Sequence, residues 1–283
     1  MTAQEELLGT DDAATAAGAS PVGNPTSGDA LTSASGVTSV GTGTVVRARA
    51  PRRKPSPDDH PIVLDRSRLG AVCIDMGSVV VDERLTWGMW QSLTVRDLKA
   101  NGHRADKKAL LLALRAAMLA NHPRVSQQAL IELGADPARA QHVWSQVSNR
   151  DRPLKYAAAA LERLSARYPL VMVANQGLHA RGLLEAAGLD RYFTKLLLSD
   201  ELKIAKPDER IFRFALDELG LEPDRVAMLG DRLDLDIEPS RRLGMLAVRI
   251  RRGPFACQEP RRAEERPHLT FNSLPAAARW LAP

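Results

Sequence analysis

The sequence predicts an α/β protein with a doubly wound parallel sheet and an inserted all-helical cap. Short apolar runs alternate with helical patterns from Leu69 onward, as expected for a parallel sheet that is covered on both faces. One long stretch, Asp82 to Leu161, interrupts that alternation without a convincing strand. The 283 residues, 44% of them hydrophobic, are enough for a substantial core.

Five apolar runs are predicted to form the strands of this sheet, because each is short and rich in Val, Leu, Ile or Met. The helical patterns between them end at glycines, which suit helix termination. The predicted strands are 71–75, 170–174, 195–199, 225–230 and 246–250, and the predicted helices are 180–188, 209–220 and 236–244.

The interruption reads as four helices separated by Gly, Pro and Asn breaks: TWGMWQSLTVRDLKANG, ADKKALLLALRAAMLAN, VSQQALIELG and DPARAQHVWSQV. A helical insertion after the first strand would lie above the carboxyl ends of the strands, where ligands bind in such folds. We therefore predict an α/β core at 61–82 and 156–283 and a helical cap, a candidate lid, at 83–155.

Residues 1–60 are mostly small or polar and predict a disordered tail, because they cannot bury enough apolar surface to offset chain entropy. The tail ends in a basic cluster, VVRARAPRRKPSPDD. No aromatic residues are interleaved with these charges, so a solvated linker is favoured and no nucleic-acid partner is expected.

The chain is expected to be cytoplasmic, with no membrane partner. Its start lacks a basic segment followed by an apolar run, and its most apolar later stretch is broken by Arg115. Two cysteines, Cys73 and Cys257, allow no disulfide framework, which fits a reducing compartment. The sequence leaves the oligomeric state open.

Polar residues follow several predicted strands or lie on the next loop. Asp75 ends the first strand, Asn175 follows the second, and Asp231 follows the fourth, with Asp236 shortly after it; Lys206 lies in LKIAKPDERIF. The predicted fold brings these groups to one rim of the sheet. Acids and a lysine that converge there suit a divalent cation together with a phosphoryl group.

These segments, taken in this order, resemble the haloacid dehalogenase superfamily, whose usual members are Mg²⁺-dependent phosphatases. The resemblance covers Leu69 to Pro283, and it is carried most strongly by SDELKIAKPDERIF and MLGDRLDLDIEPSRRLGM. It implies a hydrolase that acts on a small phosphorylated metabolite.

The resemblance also implies catalytic roles for three residues. Asp75 matches the nucleophile, which would attack phosphorus and form an aspartyl-phosphate. Lys206 would neutralise the phosphoryl oxygens and keep the crowded carboxylates ionised. Asn175 would bind a phosphoryl oxygen.

A Mg²⁺ site is implied as well. Asp75, Asp231 and the backbone carbonyl of Gly77 would provide its oxygen ligands, and Asp236 would support the ion through its waters.

Two positions depart from the family pattern. Gly77 stands where the phosphatases usually carry a second Asp, the general acid and base, whose loss typically costs a hundred- to ten-thousand-fold in rate. Ala174 replaces the usual Ser or Thr before the Asn. Without a second acid, the substrate should carry a good leaving group, such as an acyl phosphate, an anhydride or an anomeric sugar phosphate. Asp82 is a less favoured surrogate acid.

Two alternatives stay open at this point. One is a 2-haloacid dehalogenase, which needs no Mg²⁺ and whose nucleophilic Asp is likewise not followed by an acid two places on. The other is a protein of this fold that has lost turnover and acts as a binding or regulatory module. Asp231 and Asp236 argue against the first, and retention of Asp75, Lys206 and Asp231 argues against the second.

Overall fold

The computed structural model describes residues 66–283. The predicted tail and its basic cluster lie outside the described residues. The strands are β1 (Ala71–Ile74), β2 (Val81–Asp82), β3 (Arg152–Pro153), β4 (Leu170–Ala174), β5 (Lys195–Leu198), β6 (Val226–Gly230), β7 (Leu246–Ile250) and β8 (Leu269–Phe271).

A six-stranded parallel sheet forms the centre, in the order β5-β4-β1-β6-β7-β8. The five predicted strands are β1 and β4 to β7, which confirms the doubly wound α/β class. β8 was not predicted, because three residues, Leu269–Phe271, are too few to show a periodic pattern.

Within the described part of the chain, residues 66–283, ten α-helices surround the sheet or form the insertion. They are α1 (Arg84–Ala100), α2 (Lys107–Leu119), α3 (Val125–Glu132), α4 (Ala138–Ser145), α5 (Ala157–Ser165), α6 (His179–Ala186), α7 (Ser199–Leu202), α8 (Glu209–Leu219), α9 (Glu238–Arg242) and α10 (Leu274–Leu281). The segment predicted as one helix at 236–244 instead begins as a π-helical turn, Leu233–Ile237, and continues as α9.

The central strand β1 shows why both faces of the sheet are covered. Its side chains alternate between faces, as a strand requires. Val72 and Ile74 join the hydrophobic cluster formed with α5, α6 and α10, whereas Ala71 and Cys73 join the cluster formed with α8. All four side chains are fully buried, so the strand holds the residue that follows it firmly in place.

Helices α1 to α4 form the predicted insertion after the first strand of the sheet. They lie between β2 and β3, which pair as a short antiparallel ladder that the sequence did not predict. The insertion has its own hydrophobic cluster, in which Trp90, Leu98, Leu110 and Leu130 are fully buried. The boundaries at 83 and 155 between core and cap remain predictions.

Two further sequence expectations concern disulfides and membranes. Cys73 and Cys257 are both free thiols. Within residues 66–283, no helix is both long enough and apolar enough to cross a bilayer.

Candidate active site

Four charged side chains meet at the carboxyl end of the central strands. Asp75 directly follows β1 and Asp231 directly follows β6, while Lys206 lies on the loop before α8 and Asp236 on the π-helical turn. Carboxylate oxygens of the three acids lie within 4.8 Å of one another. The structure thus brings together the residues that the sequence singled out, and their catalytic roles remain predictions.

Lys206 lies between two of these acids. Its Nζ is 2.6 Å from Oδ1 of Asp75 and 2.6 Å from Oδ1 of Asp236. Burial alone would lower the pKa of this ammonium group, but Asp236 and Asp75 raise it above its ordinary value. Lys206 is therefore expected to stay protonated at neutral pH. Its two hydrogen bonds, to Asp75 and Asp236, are buried and charge-assisted.

The acids outnumber this cation. Burial raises the pKa of Asp75 to about 6, with Lys206 lowering it and Asp236 raising it. Burial, together with Asp75 and Asp236, also raises the pKa of Asp231 well above its ordinary value. Within residues 66–283, no hydrogen-bond donor contacts the Asp231 carboxylate. An excess of buried negative charge with oxygen-only donors fits a hard divalent cation.

The position of Asp236 explains why residue 230, directly before Asp231, is a glycine. Oδ2 of Asp236 accepts a hydrogen bond from the backbone N–H of Arg232, at 3.0 Å. A Cβ atom on Gly230 would lie 2.3 Å from the Cβ atom of Asp236, a distance that no side chain tolerates. Gly230 thus allows the π-helical turn to place Asp236 against the end of β6.

Asn175 lies at the end of β4 and holds the loop that carries Lys206. Its Oδ1 accepts from the Lys206 backbone N–H at 2.7 Å, and its Nδ2 donates to the Lys206 carbonyl oxygen at 2.8 Å. The side chain also lines the cavity described below. The predicted contact with a phosphoryl oxygen remains a prediction, beside this observed role in positioning Lys206.

Gly77 lies on the turn after Asp75. Its carbonyl oxygen accepts a hydrogen bond from the backbone N–H of Val79, at 2.7 Å, and the residue lines the same cavity. Its predicted role as a carbonyl ligand of Mg²⁺ remains a prediction.

A cavity of about 630 Å³ opens above the four charged groups. The insertion provides part of its wall through Trp87 and Trp144, and Phe255 contributes from the core. Trp87 contacts Trp144 edge-on, with ring centroids 5.2 Å apart. Trp90 is fully buried and stacks on Trp144. The insertion therefore contributes two tryptophans to the cavity wall, beside polar residues such as Gln141 and Asn149.

Glu83, which begins the insertion, is the functional candidate that sequence reasoning missed. Its carboxylate is part-buried beside the cavity, and Oε1 accepts a hydrogen bond from Nε2 of Gln176 at 3.1 Å. Burial, followed by the charges of Asp151 and Asp75, raises its pKa to about 8. The only signal in the sequence was an acid six residues after Gly77.

Asp82, the surrogate acid considered from sequence, points elsewhere. Arg84 Nε donates to both Asp82 carboxylate oxygens at 2.9 Å, and the pKa of Asp82 is lowered chiefly by this contact. Asp208, in contrast, caps α8 by accepting from the backbone N–H of Arg210 at 2.9 Å, as its position before the helix predicts.

The fold and the buried acid–lysine cluster together define a doubly wound α/β protein with a carboxylate-rich site at the carboxyl ends of its strands. The chain belongs to the haloacid dehalogenase-like hydrolases, since the model of that family matches residues 70–244.

Individual relatives agree with this assignment. The chain is 32% identical over 160 residues to the glyceraldehyde 3-phosphate phosphatase of Methanopyrus kandleri, a match that covers 54% of this chain and 69% of the relative. It is 34% identical over 157 residues to the phosphoserine phosphatase of Thermus thermophilus, covering 53% and 61%. The crystal structure of the HAD-hydrolase YfnB from Bacillus subtilis superposes with a TM-score of 0.57 at 16% identity, over 76% of this chain and 100% of that chain, and shows the shared fold.

Proposed function

We propose that this protein is a Mg²⁺-dependent phosphatase that acts on a small phosphorylated metabolite through an aspartyl-phosphate at Asp75. The observation that carries the proposal is the buried cluster of three carboxylates whose oxygens lie within 4.8 Å of one another, and whose negative charge Lys206 offsets only in part. Such a site has the charge to hold a divalent cation and the ammonium group to receive a phosphoryl group.

The residues divide into three roles in this proposal. Asp75 forms the bond to phosphorus, and Lys206 neutralises the phosphoryl oxygens. Asp75, Asp231 and the Gly77 carbonyl would hold Mg²⁺, with Asp236 supporting its waters. The ion, when bound, supplies charge that offsets the negative charge of the transition state.

The size of the cavity and the identities of the relatives support a small phosphorylated substrate. A volume of about 630 Å³ suits a metabolite rather than a polymer. The dehalogenase alternative is weaker, because that chemistry has no use for Asp231 and Asp236 as a metal site.

A phosphate-release panel tests the proposal. The purified full chain is given acyl, aryl, sugar and alkyl phosphates, with Mg²⁺ or with EDTA, and chloride release from a 2-haloacid is measured alongside. We expect phosphate release that requires Mg²⁺, falls at least a hundred-fold in Asp75→Asn, and is unchanged in Asp224→Asn, whose exposed carboxylate pairs with Arg68.

Three outcomes would contradict the proposal. Chloride release that is independent of Mg²⁺ would identify a dehalogenase. Binding of Mg²⁺ and a phosphorylated ligand without release of phosphate would identify a binding module. Release that survives Asp75→Asn would place the nucleophile elsewhere.

A further inference from the structure

Position 77 has no side chain, and the carboxyl group of Glu83 fills the space where one would stand. A Cβ atom on Gly77 would lie 2.5 Å from Oε2, 2.7 Å from Cδ and 2.7 Å from Oε1 of Glu83. The two residues are six positions apart in the sequence. Glu83 therefore places a carboxyl group where a side chain from the turn after Asp75 would otherwise begin.

The backbone between these residues makes this approach possible. The N–H groups of Val80 and Val81 both donate to the carbonyl oxygen of Met76, at 2.9 and 3.0 Å, so the chain after Asp75 folds back on itself. Gly77 and Val81 then form an isolated β-bridge. Glu83 follows within two residues, at the N-terminal end of α1.

The side chain of Glu83 is held from the core as well. Gln176, on the loop after β4, donates its Nε2 to Oε1. No Lys or Arg within residues 66–283 lies in ion-pair distance of the Glu83 carboxylate. Glu83, Gln176 and Asp75 all line the same cavity. The carboxyl group is thus fixed in place, faces the cavity and has no cation committed to it.

We infer that Glu83 is the general acid and base of phosphoryl transfer in this protein, in place of the acid that position 77 lacks. This inference rests on the proposed phosphatase function and adds one catalytic residue to it.

In the proposed reaction, Glu83 gives up a proton in the first step and regains one in the second. First, an Asp75 oxygen bonds to phosphorus while the bond from phosphorus to the leaving oxygen breaks, and the Glu83 carboxyl proton moves to that oxygen, which departs as an alcohol. Second, the Glu83 carboxylate takes a proton from water as the water oxygen bonds to phosphorus and the bond to Asp75 breaks. Phosphate leaves, and both carboxyl groups return to their starting forms.

Two neighbouring acids are less suited to this role. Asp82 is engaged by Arg84 and is not among the residues that line the cavity. Asp151 lines the cavity, but it accepts hydrogen bonds from Thr86 Oγ1 and from Nδ2 of Asn149. Neither the Asp82 nor the Asp151 carboxylate is among the atoms nearest to a Cβ atom at position 77.

This assignment changes the expected substrates. Sequence reasoning predicted that a site without a second acid needs a good leaving group. With Glu83 as acid, phosphates of poorly departing alcohols become substrates, because the leaving oxygen is protonated as it departs. The predicted substrate class is therefore the alkyl phosphate monoester.

The leaving-group dependence of Glu83→Gln tests the inference, because glutamine keeps an acceptor for Gln176 but cannot exchange a proton. We measure kcat/KM with Mg²⁺ on acetyl phosphate, p-nitrophenyl phosphate, phenyl phosphate and glycerol phosphate. We expect a loss of about 10²- to 10⁴-fold on glycerol phosphate and less than about 10-fold on acetyl and p-nitrophenyl phosphate. The matched control is Asp82→Asn, which should leave all four values unchanged.

A second variant moves the carboxyl group back to position 77. Glu83→Ala makes room there, and the double variant Gly77→Asp with Glu83→Ala should hydrolyse glycerol phosphate at least ten-fold faster than Glu83→Ala alone. Thermal unfolding of each variant shows whether it has folded.

The outcomes separate this inference from the proposed function. Asp75-dependent release from acetyl phosphate by Glu83→Gln would support the phosphatase assignment, and the ratio between substrates then decides the role of Glu83. An equal loss on all four substrates, no loss on any, or a leaving-group-dependent loss in Asp82→Asn would each overturn the inference. A wild-type protein that releases phosphate from none of them would overturn both.

Discussion

Lys206 is the residue on which the charge balance of the site depends. Its ammonium group is almost fully buried and contacts two carboxylates that are themselves buried. Removing one partner of such a group leaves an uncompensated charge in the interior, which typically costs about 3–5 kcal/mol. An exposed ion pair of similar geometry contributes far less, since water and salt screen it.

We expect Lys206→Met, measured with EDTA at pH 7, to lower the free energy of unfolding by about 3–5 kcal/mol. The control is Lys195→Met, which removes an exposed pair with Glu218 at 3.3 Å and should cost at most about 1 kcal/mol. Urea unfolding of both variants and the wild type measures the difference. Equal costs for the two substitutions would show that Lys206 does not balance buried acids.

At the scale of elements, His268 adds hydrogen bonds to the ladder that joins the edge strand β8 to β7. Nδ1 of His268 accepts a hydrogen bond from the backbone N–H of Ala247, at 2.9 Å, and the His268 N–H donates to the Ala247 carbonyl oxygen at 2.9 Å. Burial and then Arg241 lower the pKa of His268 from 6.5 to about 4. Protonation would turn Nδ1 from an acceptor into a donor and break the first of these bonds.

The sign of the pH dependence follows from this shift. Between pH 6.5 and pH 4 the unfolded chain binds a proton at His268 that the folded protein does not, so stability falls as the pH falls through that window. Because His268 is partly exposed, we expect a contribution of only about 1 kcal/mol. His268→Asn keeps an acceptor without titrating, and urea unfolding at pH 7 and pH 4.5 should show a smaller loss in this variant. An identical loss in both proteins would contradict the assignment.

The elements also show how far the sequence predicts the fold. β1, β4, β5, β6 and β7 were predictable because each is a mostly apolar run, as is typical of strands that are covered on both faces. β2 and β3 have two residues each, too few for any periodicity. Their pairing depends on the insertion returning to its starting point, which is a property of the tertiary structure.

At the scale of the whole molecule, the acids of the site lead us to expect that the folded protein binds a divalent cation. Three buried carboxylates share one ammonium group, so the native site is less stable without an additional positive charge than with it. An ion that binds the folded state alone stabilises it by about 2.7 kcal/mol at a hundred times its dissociation constant. For a domain of this size, that corresponds to a rise in Tm of roughly 5–10 °C.

We therefore expect Mg²⁺ to raise the Tm of the full chain and EDTA to lower it again, as measured by calorimetry. Asp231→Asn should abolish this rise, and its Tm without metal should equal or exceed that of the wild type, because the substitution removes a like charge. Asp224→Asn should keep the rise. A wild-type Tm that does not respond to Mg²⁺ would remove the metal from the proposed function.

The site was predictable to the extent that it follows strand order. Asp75 and Asp231 were found because the ends of parallel strands meet at one edge, and Lys206 was found because of its Lys-Pro-Asp segment and its place in the order of motifs. The partners of Asn175 and the role of Glu83 were not predictable. Both depend on the conformation of a loop: the loop that carries Lys206 in the first case and the turn after Asp75 in the second. The spacing of residues in the sequence does not predict these conformations.

In this structure the Glu83 carboxyl group occupies the space where a side chain at position 77 would stand. This affects how related proteins should be compared. A side chain at position 77 would displace the Glu83 carboxyl group from its present place, so we expect the two positions to change together over evolution. Relatives with Asp at the first should carry a shorter or differently directed residue at the second. A survey that inspects the first position alone would count this protein among the members that have lost their proton donor, although the donor has only moved along the chain.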